Sequence, residues 1–397
     1  AESSVAEGDA SSETEEIPEP SFTIDGKKVD TENLIICTID GVDIDFDTFR
    51  YYYYYTLNRY ESYYSITKDV LAEQKDYFDL FMSDVIVSIQ QELVAPRLAK
   101  ENNIEIEFYE TALDELTASL ALNFDAICAF VNDDLSAATL EVLNKQGINL
   151  VLMRCAGYNN VDINKAKELG INVKRVPGYS PHAVAEFAMG LLLSVNRKIH
   201  KAYIRTKEFN MSINGLMGCD LYGKTAGIIG TGKIGKAMIS ILRGAGMRII
   251  AYDAYPDNEL DIEYVPLEQL YKESDVISLH CPLNQDTKYM IDKKSLDIMK
   301  KGVYIINTSR GLLIRTEDLI EALLVPGKIG GVGLDVYEEE DNIFYEDRSF
   351  EVMQDNVLAR LMSFYNVLVT SHQGYFTREA MEAIARTTIQ NALEEMR

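Results

Sequence analysis

The sequence predicts an α/β fold over residues 104–397, with a doubly wound parallel sheet and a helical extension before it. Three observations support this fold class. The chain of 397 residues is long enough for two or three domains, short apolar runs alternate with helical stretches from Ile104 onward, and a glycine-rich turn follows one of these runs. Such alternation is typical of a parallel sheet that helices cover on both faces. The predicted strands are Ile104–Tyr109, Ala126–Phe130, Leu150–Met153, Val173–Arg175, Ala226–Ile229, Arg248–Tyr252, Val276–Leu279, Val303–Asn307, Gly331–Leu334 and Val367–Thr370.

The strongest local pattern is the glycine-rich turn Gly230-Thr231-Gly232-Lys233-Ile234-Gly235. Gly230 would permit the tight turn, Gly232 the approach of a pyrophosphate, and Gly235 the close packing of helix on strand. The next predicted strand ends at Asp253, where a dinucleotide-binding fold places the acid that binds the ribose hydroxyls. The pattern predicts a Rossmann domain that binds NAD, since Asp253 would repel the 2′-phosphate of NADP. A glycine turn in an unrelated α/β domain is the alternative.

Three further side chains, Arg310, Glu340 and His372, each follow a predicted strand. The carboxyl ends of parallel strands line the ligand crevice, so these side chains are expected to converge. An arginine can hold a substrate carboxylate, a histidine can give a proton to a carbonyl oxygen, and an acid beside the histidine favours its charged form. The set predicts reduction of a 2-keto acid. Individually, the three could be a surface ion pair, a solvated acid and a capping residue.

Several longer segments resemble one enzyme family. They are Phe130–Leu135, Arg154–Asp162, Val176–Pro181 with Ala185-Glu186, and Asn196–His200. On these segments, residues 104–397 resemble the D-isomer-specific 2-hydroxyacid dehydrogenases. Within that family, Glu338–Val367 resembles an insertion of the D-lactate dehydrogenase branch.

The resemblance implies an NAD-dependent enzyme that interconverts pyruvate and D-lactate, built from a Rossmann domain and a flavodoxin-like substrate domain. It implies that Arg310 binds the substrate carboxylate, that His372 is the acid/base, and that Glu340 is its partner. The residues implied on the substrate side are Ala156, Gly157, Tyr179 and Tyr375. The residues implied on the cofactor side, besides the glycine turn, are Cys281, Pro282, Thr308 and Asp335. No metal is expected, and a homodimer is implied by the resemblance alone.

The identity of the keto acid stays open at this stage. Tyr375 stands where the lactate branch usually has Phe, and Gly178 and Gly374 stand where Ala is usual. Phenylpyruvate and 2-ketoisocaproate are therefore the alternative substrates to pyruvate.

The N-terminal part differs from this family. Residues 1–25 are predicted to be a disordered acidic leader, and residues 26–103 a helical segment with a tyrosine run at Tyr51–Tyr55. Ile39-Asp40-Gly41-Val42 through Phe49 resembles the start of the N-terminal helical segment of parvulin-type foldases. This segment stands where the family has its first strand and helix, and Leu34–Thr38 is a candidate substitute strand. The rival function is a chaperone-like binding protein with a catalytically impaired remainder.

The predicted division of the rest assigns 104–177 and 371–397 to the substrate domain and 178–370 to the NAD-binding domain. A net charge of −25 argues against nucleic acid or an anionic membrane surface as a partner, and no apolar run reaches the ~20 residues of a membrane helix. Five scattered cysteines and the NAD site favour the cytoplasm, although the leader resembles the start of an exported foldase.

Overall fold

The computed structural model describes residues 22–24, 27–29, 34–39, 42–61, 66–92, 94–109, 111–340, 343–345 and 348–395. The chain divides into two compact units, residues 1–101 and residues 102–397. Among the described residues, no helix is both long and apolar enough to cross a membrane.

The described residues of the first unit form two antiparallel hairpins and four helices. The hairpins pair β1 (Phe22–Ile24) with β2 (Lys27–Val29) and β3 (Ile35–Ile39) with β4 (Val42–Asp45). The helices are α1 (Phe46–Arg59), α2 (Lys68–Glu73), α3 (Lys75–Glu92) and α4 (Val94–Glu101). The Asp45 carboxylate accepts a hydrogen bond from the Thr48 amide at 2.7 Å and so caps α1. Tyr60 and Phe81 pack edge to face in the core of this unit.

Two predictions for this region differ from the structure. Residues 1–21 of the predicted leader lie outside the described residues, but Phe22–Ile24, at its end, forms a strand. The candidate substitute strand, Leu34–Thr38, corresponds to β3, which pairs with β4, the next strand along the chain. Pairing with the next strand in sequence is favoured because the closure of a short loop costs little entropy.

The second unit begins with a three-stranded parallel sheet of order β5-β6-β7, formed by Ile127–Ala129, Leu150–Met153 and Asn172–Arg175. Helices α5 (Ala137–Lys145) and α6 (Ile163–Leu169) pack with its core side chains. The C-terminal helix of the chain, Arg378–Glu395, packs against β6, where Ala392 contacts Leu150 and Leu152. This sheet places the ends of β5 and β6, and the turns after them, beside the site described below.

The predicted strand Ile104–Tyr109 is wrong, because these residues have no regular structure. Apolar and acidic residues alternate there as in a strand, and Ile104 does pack against the cluster around Leu150 and Ala392. A strand also needs a neighbouring edge for its backbone hydrogen bonds. No described strand pairs with this segment, so the alternation alone does not produce one.

A seven-stranded parallel sheet forms the larger part of the second unit, in the order β10-β9-β8-β11-β12-β13-β14. Its strands are β8 (Thr225–Ile229), β9 (Arg248–Tyr252), β10 (Glu263–Tyr264), β11 (Val276–Leu279), β12 (Val303–Asn307), β13 (Ile329–Leu334) and β14 (Val367–Val369). The predicted strands from Ala126–Phe130 onward are all present with ends shifted by at most one or two residues, whereas β10 was not predicted.

Helices cover both faces of this sheet, which confirms the predicted α/β class. They are α7 (Pro181–Arg197), α8 (Ile199–Lys207), α9 (Lys233–Gly244), α10 (Leu267–Glu273), α11 (Lys293–Ile298), α12 (Thr316–Leu323) and α13 (Asn356–Ser363), and the C-terminal helix is α14. The strand order reverses at β8, which lies between β9 and β11. Ligands bind at such a switch point, outside the carboxyl ends of the strands.

Candidate active site

The glycine turn lies at this switch point, between β8 and α9. Gly230 has a φ of +95°, and a Cβ there would lie 2.5 Å from the His280 carbonyl oxygen. A Cβ on Gly235 would lie 2.0 Å from the Gly230 carbonyl oxygen, whereas one on Gly232 would meet open space. Gly232 also begins α9 without a side-chain cap, so the helix has free amide groups at its positive end. This open and uncapped helix start fits the pyrophosphate of a dinucleotide.

Asp253 lies at the end of β9, beside the turn, as predicted. Its Oδ2 accepts hydrogen bonds from the Thr231 amide at 2.6 Å and the Thr231 hydroxyl at 3.0 Å. The Thr231 hydroxyl is also 2.9 Å from the Tyr264 hydroxyl on β10. The carboxylate is therefore fixed where a ribose would follow the pyrophosphate, and it would repel a 2′-phosphate.

We predict that Asp253→Ala weakens NADH binding by about tenfold or more, the loss of a hydrogen bond to a charged group. NADPH binding should weaken less or improve, because the repulsion is removed. Fluorescence titration with both nucleotides measures this. Asp257→Asn is the matched control, since Asp257 pairs with Lys236 and carries the same charge. An unchanged ratio of the two affinities in Asp253→Ala would contradict the assignment.

The other cofactor candidates differ in their surroundings. The Cys281 thiol contacts the Met290 sulfur, and burial raises its pKa to about 11, which disfavours a nucleophilic thiolate. Its contact with the cofactor stays a prediction. The Thr308 hydroxyl is buried and has no hydrogen-bond partner in the described part of the chain, which leaves it available to a ligand. Pro282 follows Cys281 at the end of β11.

Asp335, predicted on the cofactor side, is bonded to the loop that carries His372, and its contact with a cofactor stays a prediction. It is buried, and its carboxylate accepts hydrogen bonds from the Thr370 hydroxyl at 2.6 Å and the backbone amides of Gln373 and Gly374 at 2.9 and 2.7 Å. Burial raises the pKa of this carboxyl. Asp335 thus ties the end of β13 to the loop that carries His372. The sequence placed Asp335 correctly at a strand end but could not show which way it points.

We predict that Asp335→Ala lowers the free energy of unfolding by about 2–4 kcal/mol, because it leaves buried amides without acceptors. The activity should fall as well, because the His372 loop loses its support. Urea unfolding measures the first effect. Thr370→Val removes one of the three hydrogen bonds and should cost about 1 kcal/mol. Equal unfolding midpoints for Asp335→Ala and the unmodified chain would refute this role.

The structure brings His372 and Glu340 together. The His372 Nδ1 lies 2.7 Å from Oε1 of Glu340, and the other carboxylate oxygen accepts the Tyr337 amide at 2.7 Å. His372 has a φ of +53°, an uncommon backbone conformation that is frequent at functional sites. Because Glu340 occupies Nδ1, the Nε2 atom of the same ring is left for a substrate.

Arg310 joins the same site from the end of β12. Its Nη1 donates to the Ser309 carbonyl at 2.6 Å, and the Arg310 carbonyl accepts from the Asn307 side chain at 2.9 Å. A Cβ on Gly157 would lie 3.0 Å from the Arg310 Nη2, so the guanidinium lies against the turn after β6 that holds Ala156 and Gly157. The structure therefore places the predicted anion-binding residue beside the predicted substrate-side turn.

Aromatic side chains pack near these residues. Tyr179 and Tyr375, both predicted, have ring centroids 5.9 Å apart. Burial raises the pKa of the Tyr179 hydroxyl, and the nearby Arg310 guanidinium opposes that rise. Tyr345 was not predicted as a site residue, yet its hydroxyl donates to the His372 carbonyl at 3.1 Å and its ring stacks on His372 at 6.2 Å. Its position in the Glu338–Val367 insertion, five residues after Glu340, is the signal that could have found it.

Taken together, a dinucleotide turn, an arginine at a strand end and a histidine–glutamate pair define an NAD-dependent oxidoreductase of the 2-hydroxy acid class. Comparison with known proteins narrows the class. The family model described as "D-isomer specific 2-hydroxyacid dehydrogenase, NAD binding domain" matches residues 189–374. The chain belongs to the D-isomer-specific 2-hydroxyacid dehydrogenase family.

Individual relatives agree with this membership. The D-lactate dehydrogenase of Escherichia coli is 52% identical over 290 residues, which cover 72% of this chain and 88% of that protein. The 2-hydroxyacid dehydrogenase homolog 1 of Schizosaccharomyces pombe is 50% identical over 291 residues, which cover 72% of this chain and 87% of that protein. The apo structure of the E. coli enzyme superposes with a TM-score of 0.70 at 47% identity, with 77% of this chain and 94% of that chain covered. The NAD-complexed structure of a D-isomer specific 2-hydroxyacid dehydrogenase from Lactobacillus delbrueckii ssp. bulgaricus superposes with a TM-score of 0.64 at 29% identity. The match covers 76% of this chain and 93% of that chain.

Proposed function

We propose that the chain reduces pyruvate to D-lactate with NADH and catalyses the reverse reaction. The observation that carries this proposal is the 2.7 Å contact between His372 and Glu340, in the same site as Arg310 and the Gly157 turn. A relative named D-lactate dehydrogenase with 52% identity supports pyruvate as the keto acid.

Each residue has a separate task in the reaction. Bound NADH supplies the hydride that reaches C2 of the keto acid. Arg310 binds the carboxylate and presents the carbonyl to His372, because a planar guanidinium holds a carboxylate in one orientation. His372 gives the proton on Nε2 to the carbonyl oxygen, and in the reverse direction it takes the hydroxyl proton. Glu340 fixes the orientation of the ring through its contact with Nδ1.

The test is NADH oxidation by the full-length chain with pyruvate, followed by chiral chromatography of the product. Pure D-lactate would support the proposal. L-lactate, or turnover of phenylpyruvate or 2-ketoisocaproate but not of pyruvate, would correct the stereochemistry or the substrate. NADH binding without turnover of any 2-keto acid would refute it.

Arg310, Glu340 and His372 follow strands of the seven-stranded sheet, whereas Gly157 follows a strand of the three-stranded sheet, and we infer a domain division from this. Residues 104–177 and 371–397 would form the substrate domain, since α14 packs on β6, and 178–370 the NAD-binding domain. Closure of the two domains on the substrate would exclude water from hydride transfer. The NAD site and the five free cysteines support a location in the reducing cytoplasm.

We also propose that the chain forms a homodimer. Residues after α8 expose large apolar side chains, a cluster of the kind that marks an interface. The cluster consists of Phe209, Met211, Ile213 and Met217, and Phe209 and Met217 are 87% and 89% exposed. Light scattering should show twice the chain mass, reduced to one chain by Phe209→Asp with Ile213→Asp. Leu324→Asp, also exposed, is the control, and a monomeric unmodified chain would refute the proposal.

A further inference from the structure

Arg154 is a second cation near the candidate active site, and nothing above gives it a task. It follows β6, and its amide donates to the Ala129 carbonyl of β5 at 3.0 Å. Its guanidinium carbon lies 4.3 Å from the centre of the Phe130 ring, which holds the side chain in place. The side chain is exposed, so its charge is available to a ligand.

No carboxylate of the described residues forms an ion pair with Arg154, although acids greatly outnumber bases in this chain. Asp133 acts on the same Cys155 thiol as Arg154, and both of its carboxylate oxygens accept hydrogen bonds from backbone amides. One accepts from Leu113 at 2.8 Å and the other from Phe130 at 2.7 Å. An arginine stacked on an aromatic ring without an anionic partner has the donors that a carboxylate ligand needs.

Contacts connect Arg154 to the substrate side of the site. The Phe130 ring beneath Arg154 lies 5.5 Å from the Tyr345 ring, which stacks on His372, and 6.4 Å from the Tyr375 ring. The Cys155 thiol also indicates that Arg154 lies near the substrate side of the site. Burial raises its pKa to about 11, and both Arg154 and Arg310 oppose that rise, so both guanidiniums lie near this sulfur. The site therefore has one cation against Gly157 and a second on the Phe130 ring.

We propose that Arg154 binds a second carboxylate, and that the enzyme also reduces four-carbon 2-keto dicarboxylates to D-2-hydroxy dicarboxylates. This inference rests on the proposed roles of Arg310 and His372. Arg310 holds the carboxylate beside the carbonyl, and Arg154 receives the carboxylate at the far end. The carbonyl carbon gains the hydride of NADH, the carbonyl oxygen gains the His372 proton, and NADH leaves as NAD.

The energetic reason is the cost of removing a charge from water. A substrate with a terminal carboxylate loses hydration when the domains close, and an apolar site would reject it. Arg154 replaces that hydration with hydrogen bonds of matching geometry. Removal of its charge should therefore affect the dicarboxylate and spare a substrate that ends in a methyl group.

The experiment compares oxaloacetate with 2-ketobutyrate, which have four carbons each and differ in the terminal group. Assays contain EDTA to slow metal-catalysed decarboxylation of oxaloacetate, and chromatography counts D-malate separately from D-lactate. The unmodified chain should form D-malate. Arg154→Gln should lower the ratio of the two kcat/KM values, oxaloacetate over 2-ketobutyrate, by about fivefold, the effect of about 1 kcal/mol. Arg154→Lys keeps the charge, so its ratio of the two kcat/KM values should stay close to that of the unmodified chain.

Arg386→Gln is the matched control, because it removes one positive charge from α14, where Arg386 pairs with Glu382. An equal fall of the ratio in Arg386→Gln and Arg154→Gln would overturn the inference, as would pyruvate reduction without D-malate. Pyruvate reduction would then still support the proposed function. D-malate formation without pyruvate reduction would support the inference and overturn the proposed substrate, and no reduction of either would overturn both.

Discussion

Replacement of His372 by Gln is expected to lower kcat for pyruvate reduction by about 10²–10⁴-fold, the usual contribution of a positioned acid–base group. Glutamine keeps polar contacts but cannot deliver a proton to the carbonyl oxygen. The 2.7 Å contact between Glu340 and Nδ1 fixes the ring and leaves Nε2 for the substrate, as the proposed role requires. Steady-state NADH oxidation measures kcat, and fluorescence titration should show that NADH binding is retained.

The chain offers a matched control for this variant. His182 is exposed at the start of α7, so His182→Gln makes the same chemical change outside the candidate active site. The kcat of Glu340→Gln should lie between those of the two histidine variants, because the ring keeps its proton donor but loses the carboxylate that orients it. If His372→Gln turned over pyruvate at the rate of His182→Gln, the acid–base role would be assigned to the wrong residue.

Replacement of Arg310 by Gln is expected to lower kcat/KM for pyruvate by about 10²–10³-fold, the loss of a charge-assisted pair in a closed site. KM should rise, because the carboxylate loses its partner. The kcat should fall as well, because the carbonyl is no longer held in front of His372. Separate measurement of kcat and KM distinguishes this from a pure binding defect.

Arg310→Lys is the informative companion, because it keeps the charge and loses the planar fork. It should recover part of the KM effect and little of the kcat effect. An unchanged KM in Arg310→Gln would mean that another residue binds the carboxylate. Arg154 would then be the first alternative, since its guanidinium, like that of Arg310, acts on the Cys155 thiol.

The sequence by itself determined the features that depend on neighbouring residues. The glycine turn, Asp253 at the end of the next strand, and the strand ends before Arg310, Glu340 and His372 all follow from local spacing. Glycine is required at Gly230 and Gly235 because a Cβ would meet backbone atoms there, and such a steric requirement is visible in a motif. Local patterns of this kind also fixed the α/β class.

The tertiary structure decided which of these side chains meet and what each one faces. Gly157 and Arg310 are far apart in sequence, and only the packing of two sheets brings the guanidinium against that turn. Asp335 points into the His372 loop, Tyr345 joins the site through a hydroxyl, and Ile104–Tyr109 lacks the neighbouring edge that would make it a strand. The physical reason is the same in each case. Periodicity and turn chemistry act over a few residues, whereas the direction and partners of a side chain depend on strand order, loop conformation and the hydrogen-bonding groups that remain unpaired.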